Sequence, residues 1–144
     1  MSVPKNKRRK SGEEFDAIFY KVHDDAVDMI EHNFRADYDM AVEHQSYIQY
    51  ASKALMGLVW DLSYHIKVAN ALYPTSHEEL LERRIEQERA IGICYDILTL
   101  YELVMHKLKV KGDTGAFEIM NVNHQINSIR AWRTSDNKRF KRFQ

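Results

Sequence analysis

Apolar residues recur at every third or fourth position over four long stretches of this chain, and a single internal proline, Pro74, separates the second stretch from the third. That period is the pattern of a helix burying one face. With five glycines and two prolines in 144 residues, few positions can interrupt a helix. The expected class is therefore all-α. Four amphipathic helices joined by short turns pack most economically as an antiparallel up-down four-helix bundle, and the length suits one domain with a proper core.

The first helix is expected to open at Ser11-Gly12-Glu13-Glu14, a capping-box spacing, and to reach about His32. Its inward stripe is Phe15, Ile18, Phe19, Val22, Ala26, Met29 and Ile30. Residues 33–42 lack a stripe and read as a connection, in which Asp37 and Asp39 can cap the next segment. A second helix covers Glu43 to Tyr73 on Ile48, Ala51, Leu55, Leu58, Val59, Leu62, Ile66, Ala69 and Leu72. Pro74 stops it, having no amide to donate. Ser76-His77-Glu78-Glu79 is a second capping box, so a third, antiparallel helix starts at once and runs from Glu78 to Leu108. Its seam is Leu81, Ile85, Ile91, Cys94, Ile97, Leu98, Tyr101, Met105 and Leu108. Gly112 ends that helix, and a fourth from Gly115 to Trp132 or Arg133 is buried through Phe117, Met120, Ile126, Ile129 and Trp132.

Lys and Arg together equal Asp and Glu at 21 each, yet the charges are segregated. The first ten residues hold Lys5, Lys7, Arg8, Arg9 and Lys10 without an acid, and the last fifteen hold Arg130, Arg133, Lys138, Arg139, Lys141 and Arg142 against Asp136 alone. Between them ten basic residues face twenty acidic ones. The body repels polyanions while the ends attract them. The expected organisation is a basic leader, residues 1–10, a bundle, 11–133, and a basic aromatic tail, 134–144, with both ends flexible.

Several function classes find no support. No apolar run reaches the ~20 residues of a membrane helix, and no hydrophobic region follows the basic start as in a signal peptide. A lone cysteine, Cys94, on an apolar seam suits a reducing cytoplasm and a small buried side chain. The Glu-x-x-His pairs of a di-iron bundle are absent. His32, His65 and His106 each follow an acid by four residues, a spacing that more often makes a surface hydrogen bond than a metal site. A thiolate at Cys94 would be costly, and neither a nucleophile elbow nor a glycine-rich phosphate loop occurs. The chain reads as a non-enzyme needing no cofactor or metal.

The ends carry the remaining signal. In the C-terminal segment Phe140 and Phe143 stand among Lys138, Arg139, Lys141 and Arg142. Exposed rings between cations suit single-stranded nucleic acid, whose phosphates pair with the charges and whose bases lie on the rings. The plainer alternative is a solvated end whose phenylalanines pack on the bundle.

The start MSVPKNKRRKSGEEF, the stretch ANALYP, the run LLERRIEQERAIGICYDILTLYEL and the close IRAWRTSDNKRFKRF together resemble the accessory variability determinant proteins. Those are encoded beside the reverse transcriptases of bacterial and phage diversity-generating retroelements, in a larger four-helix-bundle family with the 23S ribosomal RNA intervening-sequence proteins. The resemblance implies a barrel-like homopentamer that binds the reverse transcriptase and its structured or single-stranded RNA, or an RNA/DNA hybrid, during mutagenic copying. It also puts the family's basic leader on Lys5 to Lys10, a Glu-Arg-Arg element on Glu82, Arg83 and Arg84, and a terminal element on Trp132, Arg133, Ser135 and Asp136. Better-studied members are basic overall, so the acidic body of this chain shifts the expected RNA contact onto the ends. Aromatic residues outside any single stripe, Tyr20, Tyr47, Tyr50, Trp60, Tyr64 and Tyr73, are more apolar surface than one core needs and favour an oligomer. The rival reading is a structural oligomeric interaction protein without affinity for nucleic acid.

Overall fold

A computed structural model describes the backbone of residues 5–144 and the side chains of residues 17–144. Every regular element among them is helical: α1 (Lys5–Glu31), α2 (Tyr38–Glu43), α3 (Gln45–Ala71), α4 (His77–Lys107) and α5 (Ala116–Arg139), with 3₁₀ turns at Asn33–Arg35 and Lys141–Phe143. Helix α1 packs against α3 and α5, and α4 packs against the same two. Side-chain pairs set the directions. Asn121 meets Asp25 and Glu118 meets Asn33, so α5 runs antiparallel to α1. His65 meets Glu86 between α3 and α4, while Asp136 meets Arg83 and Arg130 meets Tyr95 between α5 and α4.

The core follows the predicted stripes on α3, where Ile48, Ala51, Leu55, Val59, Leu62, Ile66 and Ala69 are all buried. Val22, Ala26 and Met29 of α1, Cys94, Ile97 and Tyr101 of α4, and Val122, Ile126 and Ile129 of α5 complete one apolar cluster. No helix among the described residues is long and apolar enough to cross a membrane.

Caps explain most of the boundaries. Ser76 accepts from the Glu79 amide at 3.2 Å and starts α4. The reciprocal arm of the box reaches one residue further back than expected: the Thr75 amide donates to Glu79 Oε1 at 3.2 Å. The Thr75 hydroxyl, and after it that amide, hold the Glu79 carboxyl below its ordinary value. Within residues 33–42, expected as a connection, Asp37 accepts from the Met40 amide at 3.1 Å and caps the short α2.

Four expectations are corrected. Helix α1 begins at Lys5, so the Ser11 box does not start it; the leader is rich in Lys and Arg, which are good helix formers. The side chains of that box and of Phe15 lie outside the described residues. Leu81 and Ile85 are exposed, because α4 buries Leu80, Arg83 and Gln87 instead. On α5, Phe117 and Met120 face solvent at 64% and 54% exposure while Glu118 and Asn121 turn inward. Last, α5 continues to Arg139, so residues 134–139 are its final turns and not a tail.

Gly115 precedes α5 with φ of 84°, the left-handed region. A Cβ there would come within 3.2 Å of Met29 Sδ and 3.4 Å of Met105 Cε. Gly115→Ala is therefore expected to cost about 1–2 kcal/mol, read as a lower midpoint in urea with an unchanged slope.

Candidate nucleic-acid interface

The turn between α3 and α4 meets the end of α5 at one pole of the molecule. The side chains of Lys5, Lys7, Arg8, Arg9 and Lys10 lie outside the described residues.

The pole is organised around Arg83, which is 3% exposed. Its Nε donates to Asp136 Oδ2 at 2.7 Å and its Nη2 to Asp136 Oδ1 at 2.9 Å, a two-pronged pair that matches a guanidinium to a carboxylate. Gln87 Nε2 donates to the same carboxylate at 2.8 Å. Arg83 Nη1 points at the carbonyls of Ala69 and Leu72, 3.4 and 3.2 Å away, which end α3 and have no helical partner. One buried cation thus joins α3, α4 and α5.

Aromatic rings close over it. The Arg83 guanidinium lies 4.9 Å from the Trp132 ring and 5.5 Å from that of Phe140. Phe140 is 1% exposed, meets Tyr73 edge-on at 5.1 Å and stacks on Phe143 at 6.5 Å. The Phe143 carbonyl accepts from His77 Nδ1 at 2.6 Å, and Gln144 Nε2 donates to the Asn137 carbonyl at 2.9 Å. The last residues are therefore packed against the body.

The expected site residues divide sharply in this geometry. Arg83 is enclosed by Asp136 and the rings, and offers nothing to a phosphate. Phe140 is enclosed likewise, which corrects its expected role as a base platform: an aromatic side chain so placed contributes to the core. Arg84 donates to Asn137 Oδ1 at 2.6 Å, Arg133 pairs with Glu88, and Arg130 donates to the Tyr95 hydroxyl at 2.6 Å while remaining exposed. Phe143 is half-buried beneath Arg142, whose guanidinium sits 4.7 Å from its ring. Lys138, Lys141 and Arg142 are exposed and Arg139 half-buried. Lys138, Arg139 and Lys141 make no ion pair among the described residues. Four cations thus crowd the last turn of α5 and the turn after it.

Elsewhere the chemistry is sparse. Cys94 is buried, and burial pushes its thiol up to about 12. Its thiolate is negligible at neutral pH. Among the described residues no group of three or more His, Cys, Asp or Glu could hold a metal ion. His65 and Glu86 join across α3 and α4, with Arg89 Nη1 donating to the same carboxyl at 2.8 Å.

Beyond the Arg83–Asp136 and His65–Glu86 pairs, two more polar pairs escaped sequence reasoning. Asn33 Nδ2 donates to Glu118 Oε1 at 3.1 Å, and Asn121 Nδ2 to Asp25 Oδ2 at 2.6 Å, tying α1 and the 3₁₀ turn after it to α5. A second feature is apolar. Tyr47, Tyr50, Leu58, Leu100 and Leu103 line a cavity of about 260 Å³ between α3 and α4, with Tyr50 76% and Leu103 59% exposed.

No family model, curated protein or solved structure matches this chain.

Proposed function

We propose that this protein is a non-enzymatic, RNA-binding accessory factor of a diversity-generating retroelement, an up-down four-helix bundle that assembles as a homo-oligomer and binds the reverse transcriptase and its RNA. The observation that carries the reading is the pole, where Lys138, Arg139, Lys141 and Arg142 project from a segment anchored by the buried Arg83–Asp136 pair. With the backbone of the segment held in place, only side-chain freedom is lost when these cations meet phosphates. Two of the four segments by which the chain resembles the accessory variability determinants, those around Arg83 and around Asp136, are joined by this pair. Cytoplasmic residence and a pentameric state belong to the same proposal.

The rival reading, an oligomeric interaction protein without nucleic-acid affinity, draws on the apolar cavity between α3 and α4. The two readings share the oligomer and differ in RNA. Light scattering of the purified protein is expected to give a multiple of the 17.0 kDa chain mass, five-fold by resemblance. A 17.0 kDa particle at micromolar concentration contradicts both readings. Anisotropy titration of labelled RNA separates them. With four phosphates contacted on a single strand, affinity should fall roughly fifty-fold between 50 and 200 mM salt. Absence of binding at the lower salt leaves only the rival.

A further inference from the structure

Helix α5 stops at Arg139, yet the chain after it does not run out into solvent. Residues 141–143 form a 3₁₀ turn, in which the Phe143 amide donates to the Phe140 carbonyl at 2.9 Å. Two side chains clasp that turn. His77, the first residue of α4, donates from Nδ1 to the Phe143 carbonyl at 2.6 Å, across 66 residues of sequence. Gln144 Nε2 donates at 2.9 Å to the Asn137 carbonyl, which lies in the last turn of α5, where carbonyls lack a helical partner. Asn137 in turn accepts at Oδ1 from Arg84 Nη2 at 2.6 Å, so α4 holds the segment at two points. The turn opens with Lys141, which is exposed and makes no ion pair among the described residues. Of the acids in residues 75–79 and 136–144, Asp136 is enclosed by Arg83 and Glu79 is held by Thr75, which leaves Glu78 exposed beside His77.

We propose that His77, together with Gln144, is a positioning residue for the cations of this pole: the two hydrogen bonds fix the turn, so that Lys141 is held on the pole with Lys138 and Arg139 before RNA arrives. The proposal rests on the RNA-binding reading and deepens it by giving a role to two residues outside the cluster of lysines and arginines. Lys138 and Arg139 are placed by α5 itself. Beyond Arg139 no helical ladder continues, and a chain end is ordered only where something ties it down. Backbone that must be ordered on binding subtracts from affinity, so a turn fixed in advance binds tighter than a loose one bearing the same charges. Neither clasp serves the core. His77 and Gln144 are both exposed, and Phe140 is already enclosed by Tyr73 and Arg83. What the two hydrogen bonds hold is therefore confined to residues 141–144.

Three variants of the full-length protein test this role: His77→Ala, His77→Asn, and the double change His77→Ala, Gln144→Ala. An asparagine amide sets an N–H where the imidazole Nδ1 stands, so His77→Asn should keep the clasp and His77→Ala should lose it. One side-chain hydrogen bond shifts an equilibrium by roughly 2–13-fold. His77→Ala is expected to weaken binding of a labelled single-stranded RNA by about that factor, the double variant by more, and His77→Asn to stay within about two-fold of wild type. The slope of log K against log salt should not change, because every phosphate contact re-forms once the turn has been ordered. The thermal transition should not move either, since both side chains are exposed. The amide order parameter of Phe143, expected near ~0.85 in the wild type, should fall below ~0.6 in the double variant. If Phe143 stays rigid in the double variant, or loosens while RNA affinity holds, the positioning role is wrong and RNA binding stands. If His77→Ala and His77→Asn both lower the slope by about 0.7, His77 meets phosphate itself and the positioning role is again wrong. If the wild type does not bind RNA, the RNA-binding reading fails and takes this role with it.

Discussion

Replacing Asp136 by alanine is expected to destabilise the fold by about 3–5 kcal/mol, the cost of stranding a buried charge. For a chain of this size that is a fall in Tm of roughly 10–20 °C. The carboxylate is fully enclosed and takes three hydrogen bonds, two from Arg83 and one from Gln87. Without it the Arg83 guanidinium keeps the Ala69 and Leu72 carbonyls as its hydrogen-bond acceptors and two rings as neighbours, and remains out of water. Pairing the change with Arg83→Met removes the stranded charge, and the double variant should recover much of the loss, since an apolar replacement of a buried pair is often neutral. The arrangement also couples the pair to the pole. Phe140 lies over Arg83, so loosening Asp136 should free residues 140–144 and raise their amide exchange before global unfolding. A thermal transition in Asp136→Ala within about 2 °C of wild type would mean that the pair contributes little.

The same residues explain what the sequence could and could not reveal. Helix α3 was legible because its buried positions are all apolar and the chain after it holds a proline and a good cap. Helix α4 was legible in extent but misread in register near its start. An apolar stripe through Leu81 and Ile85 is as regular as the buried one through Leu80, Arg83 and Gln87, and periodicity cannot detect polar side chains that are buried by pairing. Helix α5 was cut short for a related reason. Its last turns read Thr-Ser-Asp-Asn-Lys-Arg, a polar run that resembles a tail, yet Ile129, Trp132, Asp136 and Phe140 keep a spacing of three or four and are all buried. Following that spacing past Trp132 would have carried Asp136 inside, and an acid inside calls for a partner such as Arg83. Glu118 and Asn121 were hidden in the same way, their partners lying in the 3₁₀ turn after α1 and on α1 at a separation no local pattern encodes. The part of the charge map that the sequence did display is the cation cluster at the end of α5, where Lys138 and Lys141 are exposed, because an exposed lysine needs no partner to be recognised.

Removing the cations of the pole should have the larger consequence for function. In the variant Lys138→Ala, Arg139→Ala, Lys141→Ala, Arg142→Ala, the fold and the oligomer are expected to persist, because none of the four supplies a buried contact comparable to Arg83 or Phe140. RNA affinity should fall by one to two orders of magnitude at 50 mM salt, from the lost counterion release of up to four phosphate contacts. Phe140→Ala should behave in the opposite manner. It opens a space beneath Tyr73 and Arg83 and should cost about 3–5 kcal/mol of stability.

The most direct test of the RNA-binding account is the slope of log K against log salt for the wild type and for this four-alanine variant, measured with one labelled single-stranded RNA. Each phosphate contact contributes about 0.7 to that slope, so the variant's line should be shallower by up to ~3. An unchanged slope with unchanged affinity would contradict the assignment of RNA binding to this pole.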